Sequence, residues 1–188
     1  MAGSNEVLLV RHGETDDNAA ARFQGRRDTL LNERGREQSR ALAQVLRDEG
    51  VQALYTSPLQ RARATAQIIG DELGLEPILD GRLMEADGGD WSGRMIPDVI
   101  AQAPAAWERW RSADPTFRFP GGESVAEQTA RVTAALADVA AGPLPAVVVT
   151  HGGAIRAVGA IECPPGGSVG NCALFRLPAV IVAPGPRT

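Results

Sequence analysis

Two short runs, "EVLLVR" (6–11) and "PAVVVT" (145–150), are apolar at nearly every position and lack the alternation of a strand with one wet face. A strand of that kind is covered on both sides, which is the setting of a parallel sheet between helices. Helical patterns lie between the two runs. "NERGREQSRALAQVLRD" (32–48) offers Asn32 as N-cap, an apolar stripe of Ala41, Leu42, Val45 and Leu46, and Gly50 as a stop. "VQALYTS" (51–57) is a second strand, leading into a helix with Ser57 as cap and Pro58 at its first position. "EPILD" (76–80) is a third strand. Residues 122–142 form a strong helix with Val125, Thr129, Val132, Leu136 and Val139 on one face, and another helix runs from Gly153 to Ala160. "NCALFRL" and "AVIVA" close the chain as strands, a hairpin around Pro178. Residues 81–122 hold Pro97, Pro104, Pro115, Pro120 and the tryptophans Trp91, Trp107 and Trp110, and are expected as an irregular inserted region with short helices, forming a lid or rim.

This alternation gives the α/β class, a three-layer sandwich with a mostly parallel central sheet flanked by helices. Residues 1–188 are expected to form one domain with the lid inside it. No apolar run reaches the roughly 18–20 residues of a membrane span, and the first residues lack the pattern of a signal peptide. The expected location is therefore cytoplasmic, with no membrane partner. A net charge of −4 argues against nucleic acid as a partner. Every basic residue counted as Lys or Arg is arginine, which excludes a Walker phosphate loop, since that loop needs a lysine. Cys163 and Cys172 make neither a metal ligand set nor a disulfide framework, and read as small reduced thiols.

The chemistry concentrates at the strand ends. The chain has only two histidines, His12 and His151; each follows a buried-strand pattern and each precedes glycine. Ligands of open α/β sheets bind beyond the carboxyl ends of the strands, where the strand order reverses. If the two strands are neighbours, the imidazoles meet there. Arg11 is costly to bury unless an anion meets it. Arg61 lies in the first turn of a helix, where the dipole disfavours a cation unless it too serves an anion. Gly13, Gly152 and Gly153 allow backbone to approach a ligand. Phosphate fits such a pocket, with neutral imidazole as nucleophile and arginines stabilising the equatorial oxygens without a metal. The departing alkoxide needs a proton. Glu85 in "RLMEADGGDW" is the candidate donor and Asp87 its competitor, and the sequence leaves that choice open.

"LLVRHGETDDN", "RFQGRRDTLLNERGREQS", "YTSPLQRARATA", "LMEADGGDWSG", "FPGGESVAEQTARV" and "VVVTHGGAIRAV" occur in that order. Together they resemble the histidine phosphatase superfamily, also called phosphoglycerate mutase-like. The resemblance implies a phosphohistidine at His12, phosphate held by Arg11, Asn18, Arg61 and His151, and Glu85 as proton donor, with no metal and no cofactor; the bare backbone of Gly152 is expected to join the phosphate site. Asp17 stands where that family often has an aromatic residue. "EADGG" carries neither the arginine nor the histidine that glycolytic mutases show around the proton donor, so the resemblance is to a phosphatase branch acting on small phosphomonoesters. The expected activity is a metal-independent phosphomonoester hydrolase, with a homodimer as the expected assembly. The alternatives are a phosphoglycerate mutase and a phosphate-binding module without turnover.

Overall fold

The computed structural model describes residues 5–159 and 169–179. Five strands, β1 (Glu6–Arg11), β2 (Ala53–Thr56), β3 (Ile78–Leu79), β4 (Ala146–Thr150) and β5 (Leu174–Pro178), form one sheet in the order β3-β2-β4-β1-β5. All neighbours are parallel except β5, which runs antiparallel to β1. The two apolar runs are therefore adjacent central strands, with Val7 opposite Ala146 and Arg11 opposite Thr150.

Their side chains divide between two cores. Leu8 and Val10 of β1 face α2 (Glu33–Leu46) and α3 (Gln60–Leu73), whose Leu42, Leu46, Ala62, Ala66 and Ile69 are buried against them. Val7 and Leu9 face α6 (Val125–Ala140) and α7 (Gly152–Ala157), through Val132, Leu136, Val139, Ala154 and Ile155. Each large aliphatic side chain so enclosed contributes about 1.5–3 kcal/mol, which fixes the face each helix turns inward. In α2 that face carries Gly35, Ser39, Leu42, Ala43 and Leu46, while Val45 is 59% exposed. The expected stripe through Ala41 and Val45 is corrected accordingly. Asn32 does cap this helix, accepting from Gly35 N at 2.8 Å, and Gly50 ends it with φ 65° after one 3-10 turn.

Pro58 is not the first residue of α3. Leu59 is the N-cap, and Ser57 Oγ accepts from its amide at 3.3 Å. The helix thus starts two residues later than the Ser-Pro pattern predicts.

The insert carries the short helices expected of it. Pro97 and Pro104 lie in the first turns of α4 (Ile96–Gln102) and α5 (Pro104–Arg111), where proline's missing amide costs nothing. A third core joins Phe23, Trp91, Val99, Phe117, Phe119 and Val125, with Trp107 and Trp110 packed on it. Trp91 meets Phe119 edge to face at 5.3 Å. The short helix α1 (Asp16–Ala19) follows β1 and is closed by a capping box between Thr15 and Asn18. Pro178 pairs with Glu6 inside β5 rather than turning a hairpin. The helix expected from Gly153 to Ala160 is α7, which starts at Gly152 and ends at Ala157. "AVIVA" beyond Ala179 and Cys163 lie outside the described residues.

Candidate active site

The connections leaving β1 and β4 go to opposite faces, α2 on one and α7 on the other, so a crevice opens between the carboxyl ends of these adjacent strands. His12 and His151 each follow a register-paired residue, Arg11 and Thr150, and His12 N donates to Thr150 O at 3.0 Å. Parallel pairing therefore sets the imidazoles side by side, with ring centroids 5.2 Å apart.

The cavity above them measures about 430 Å³ and is lined by Arg11, His12, Asn18, Arg61, Glu85 and Gly152, with Ile96, Ile100, Trp107 and Trp110 as an apolar wall. His151 is fully buried beside His12. His12 Nδ1 donates to the Gly13 carbonyl at 2.7 Å, and Nε2 accepts from Arg61 Nε at 3.2 Å. Its neutral ring thus carries its proton on Nδ1 and a lone pair on Nε2. Burial holds both imidazoles well below the usual histidine range, and the Arg61 and Arg11 charges push the same way; on His151, His12 adds to the effect.

Arg61 is more committed than its helix position suggests. Nη1 donates to Arg27 O at 2.7 Å and Nη2 to Gly25 O at 2.8 Å, so the guanidinium is locked in place before any anion arrives. Arg11 donates through Nη1 to Val169 O, while its buried Nε has no partner among the described residues. Burial pushes both guanidinium groups down to about 10, the Glu85 charge partly opposing it. His151 Nε2 hydrogen-bonds Ser57 Oγ at 2.8 Å, and its buried Nδ1 is likewise without a partner among the described residues.

Glu85 reaches the cavity and Asp87 does not. The Glu85 carboxylate accepts from Ala86 N and Gln128 Nε2 on Oε1, and from Gly153 N on Oε2, each at 2.9 Å. Its carbonyl oxygen takes Arg26 Nε at 3.2 Å and Arg131 Nη2 at 3.1 Å. Glu123 ties those arginines together, pairing with Arg26 at 3.2 Å and with Arg131 at 2.7 Å. Asp87 instead accepts from Gly89 N at 3.1 Å, closing its own loop. Asn18 Oδ1 is used by Thr15 and by Asn171 Nδ2, which also donates to His12 O at 3.1 Å. Asp17 makes ion pairs with Arg22 and Arg27.

The glycines divide in role. A Cβ on Gly13 would stand 2.4 Å from Gly35 O, so Gly13 is required by the approach of α2 rather than by a ligand. A Cβ on Gly153 would stand 2.3 Å from Glu85 Oε1, so that position must be bare for Glu85 to dock. Gln128, Ser57 and Asn171 were missed by sequence reasoning. Only Gln128 leaves a signal, as a polar residue on the apolar stripe between Val125 and Val132; the stripe expected through Thr129 passes through Gln128 instead. Among the described residues no group of three or more His, Cys, Asp or Glu is placed to hold a metal ion, and no helix is long and apolar enough to cross a membrane.

A phosphoserine phosphatase 1 of Hydrogenobacter thermophilus is 39% identical over 71% of this chain and 64% of its own length. Thus the chain spans a little under two thirds of that relative. A glucosyl-3-phosphoglycerate phosphatase of Mycobacterium tuberculosis is 37% identical over 84% of this chain and 74% of its own. The mycobacterial glucosyl-3-phosphoglycerate phosphatase structure in complex with VO3 superposes with a TM-score of 0.81 at 35% identity, covering 91% of this chain and 90% of that one. The family model for the histidine phosphatase superfamily, branch 1, matches residues 7–165. With paired histidines at the ends of adjacent parallel strands and that match over most of its length, the chain belongs to the histidine phosphatase superfamily.

Proposed function

We propose that the chain is a metal-independent phosphomonoester hydrolase for small phosphorylated metabolites, working through a phosphohistidine at His12. The observation that carries this reading is one arrangement. His12 holds an unprotonated Nε2 beside Arg61, while Arg11 Nε and His151 Nδ1 are buried nearby without partners among the described residues. Buried polar atoms of that kind are costly until a ligand satisfies them, and a phosphoryl group brings several acceptor oxygens at once.

In the proposed reaction Nε2 attacks phosphorus and the bond to the ester oxygen breaks. Glu85 delivers its proton to that oxygen, and the alcohol leaves. Water then attacks the phosphohistidine and gives its proton back to Glu85. The N–P bond breaks, releasing inorganic phosphate and neutral His12. Arg11, Arg61, Asn18, His151 and the Gly152 backbone hold the phosphoryl oxygens, and the fixed guanidinium groups supply the charge stabilisation that other phosphoryl-transfer sites draw from metal ions. Ile96, Ile100, Trp107 and Trp110 bound the space for the leaving group. A cytoplasmic location and a homodimer belong to the same proposal, the second checked by sedimentation velocity.

The test is turnover of an aryl phosphate by purified protein, with and without chelator, beside His12→Ala. Activity should survive the chelator and fall about a thousandfold or more in the variant. Full activity in His12→Ala, or its loss to chelator alone, would overturn the mechanism. Release of inorganic phosphate marks the hydrolase, whereas retention of organic phosphate marks a mutase.

A further inference from the structure

We propose that Gln128 is a positioning residue that selects the oxygen of Glu85 from which the leaving group receives its proton. This rests on the reading of Glu85 as proton donor and adds to it a residue on a different element.

Gln128 is 1% exposed and sits on the buried face of α6, one helical turn from both Val125 and Val132. A primary amide in that setting is costly unless it is hydrogen-bonded, and an apolar side chain would fill the place without that cost. Its partner is Glu85 Oε1, 2.9 Å from Nε2. A carboxyl oxygen that carries no proton only accepts, so the amide turns its NH₂ toward it.

Counting lone pairs then separates the two oxygens. Oε1 accepts from both Gln128 Nε2 and Ala86 N, which occupies its two lone-pair directions. Oε2 accepts only from Gly153 N and keeps one direction open. The transferable proton is thereby assigned to Oε2, on the side of Gly153, which lines the cavity with His12 and Arg11. Without the amide, Oε1 regains an open lone pair turned toward α6, and the carboxyl group loses one of the three contacts that fix its rotation, the only one from a side chain. The loop itself does not depend on Gln128, because Arg26 and Arg131 hold the Glu85 carbonyl separately. The expected defect is in proton delivery.

Proton delivery can be read apart from structure by the choice of leaving group. An alkoxide is a strong base and needs the proton as it departs; dinitrophenolate does not. The parameter kcat/KM covers only the steps through departure of the alcohol, so later hydrolysis of the phosphohistidine does not mask the difference. The experiment compares kcat/KM for an alkyl phosphate and for 2,4-dinitrophenyl phosphate in wild type, Gln128→Leu, Gln128→Met and Glu85→Gln, with thermal melting to identify which Gln128 variant is folded.

In the folded Gln128 variant the alkyl phosphate should lose about tenfold, equivalent to about 1.4 kcal/mol of barrier, while the dinitrophenyl ester changes less than about twofold. Glu85→Gln should show the same selectivity with a larger alkyl loss, about a hundredfold or more. Equal losses on both esters, or none, in the Gln128 variants beside a selective Glu85→Gln overturn the role of Gln128 and leave Glu85 as donor. A Glu85→Gln that slows both esters alike overturns the donor reading and this inference with it.

Discussion

At Gly35 the first turn of α2 passes so close to the loop after His12 that a Cβ there would stand 2.1 Å from the Glu14 carbonyl oxygen. Both sides of this contact are backbone, so neither can rotate away. The loop so held also carries Gly13, whose amide donates to Thr65 Oγ1 at 3.0 Å and whose carbonyl receives the His12 ring proton. Gly35→Ala should therefore destabilise the fold by about 1–3 kcal/mol and shift His12 as well. A urea midpoint equal to that of wild type would refute this. The charged members of the site were legible as residues, since each stands in a pattern that burial makes expensive. The demand on Gly13 was not, because its cause is a helix that arrives from further along the chain.

Among the elements, α6 does the most to support the proposed donor. Its Gln128 meets the Glu85 side chain and its Arg131 meets the carbonyls of Arg82, Met84 and Glu85. The helix starts with a capping box, Ser124 Oγ accepting from Glu127 N at 3.1 Å and Glu127 Oε2 accepting from Ser124 N at 2.9 Å. Ser124→Ala should cost about 1 kcal/mol, read as a lowered melting temperature with kcat/KM nearly preserved. A loss of activity without a loss of stability would contradict that division. The period of α6 was plain in the sequence, yet a one-residue rotation of the face decides whether Thr129 or Gln128 points inward, and periodicity alone does not resolve it. In the insert short helices were expected, but their bounds, with Pro97 and Pro104 in the first turns of α4 and α5, are visible only once those helices are placed. Its tryptophans read as a rim, but Phe23, brought in from far along the chain, turns them into a core.

For the molecule as a whole, the buried histidines set a dependence on pH. Their folded-state values lie well below the reference of about 6.5 that applies to the unfolded chain. Below about pH 6.5 the unfolded state binds protons that the native state refuses. Stability from this source is full above that pH and is lost as pH falls, with a limiting slope near 2.7 kcal/mol per pH unit for two groups. Denaturant midpoints should drop between pH 7 and pH 5, and the drop should shrink in Gln or Asn variants of His12 and His151. Midpoints that stay level across that range would contradict the neutral, buried state of the pair. The fold class was legible because continuous apolar runs and helical periods are local signals. That the two histidine strands are neighbours was only conditional in the sequence, since strand order is settled by packing on both faces of the sheet.

The pairing of β1 with β4 joins segments far apart in the chain, and α2, β2, α3, β3 and α6 all lie between them. Closing so long a loop costs entropy that only the finished sheet and its two cores repay. A nascent chain therefore displays its first histidine long before the second is synthesised, and no fragment that ends before β4 can set the two against each other. Recovery of turnover during refolding should then lag helix formation and coincide with closure of the sheet, making catalysis a late and sensitive clock of folding.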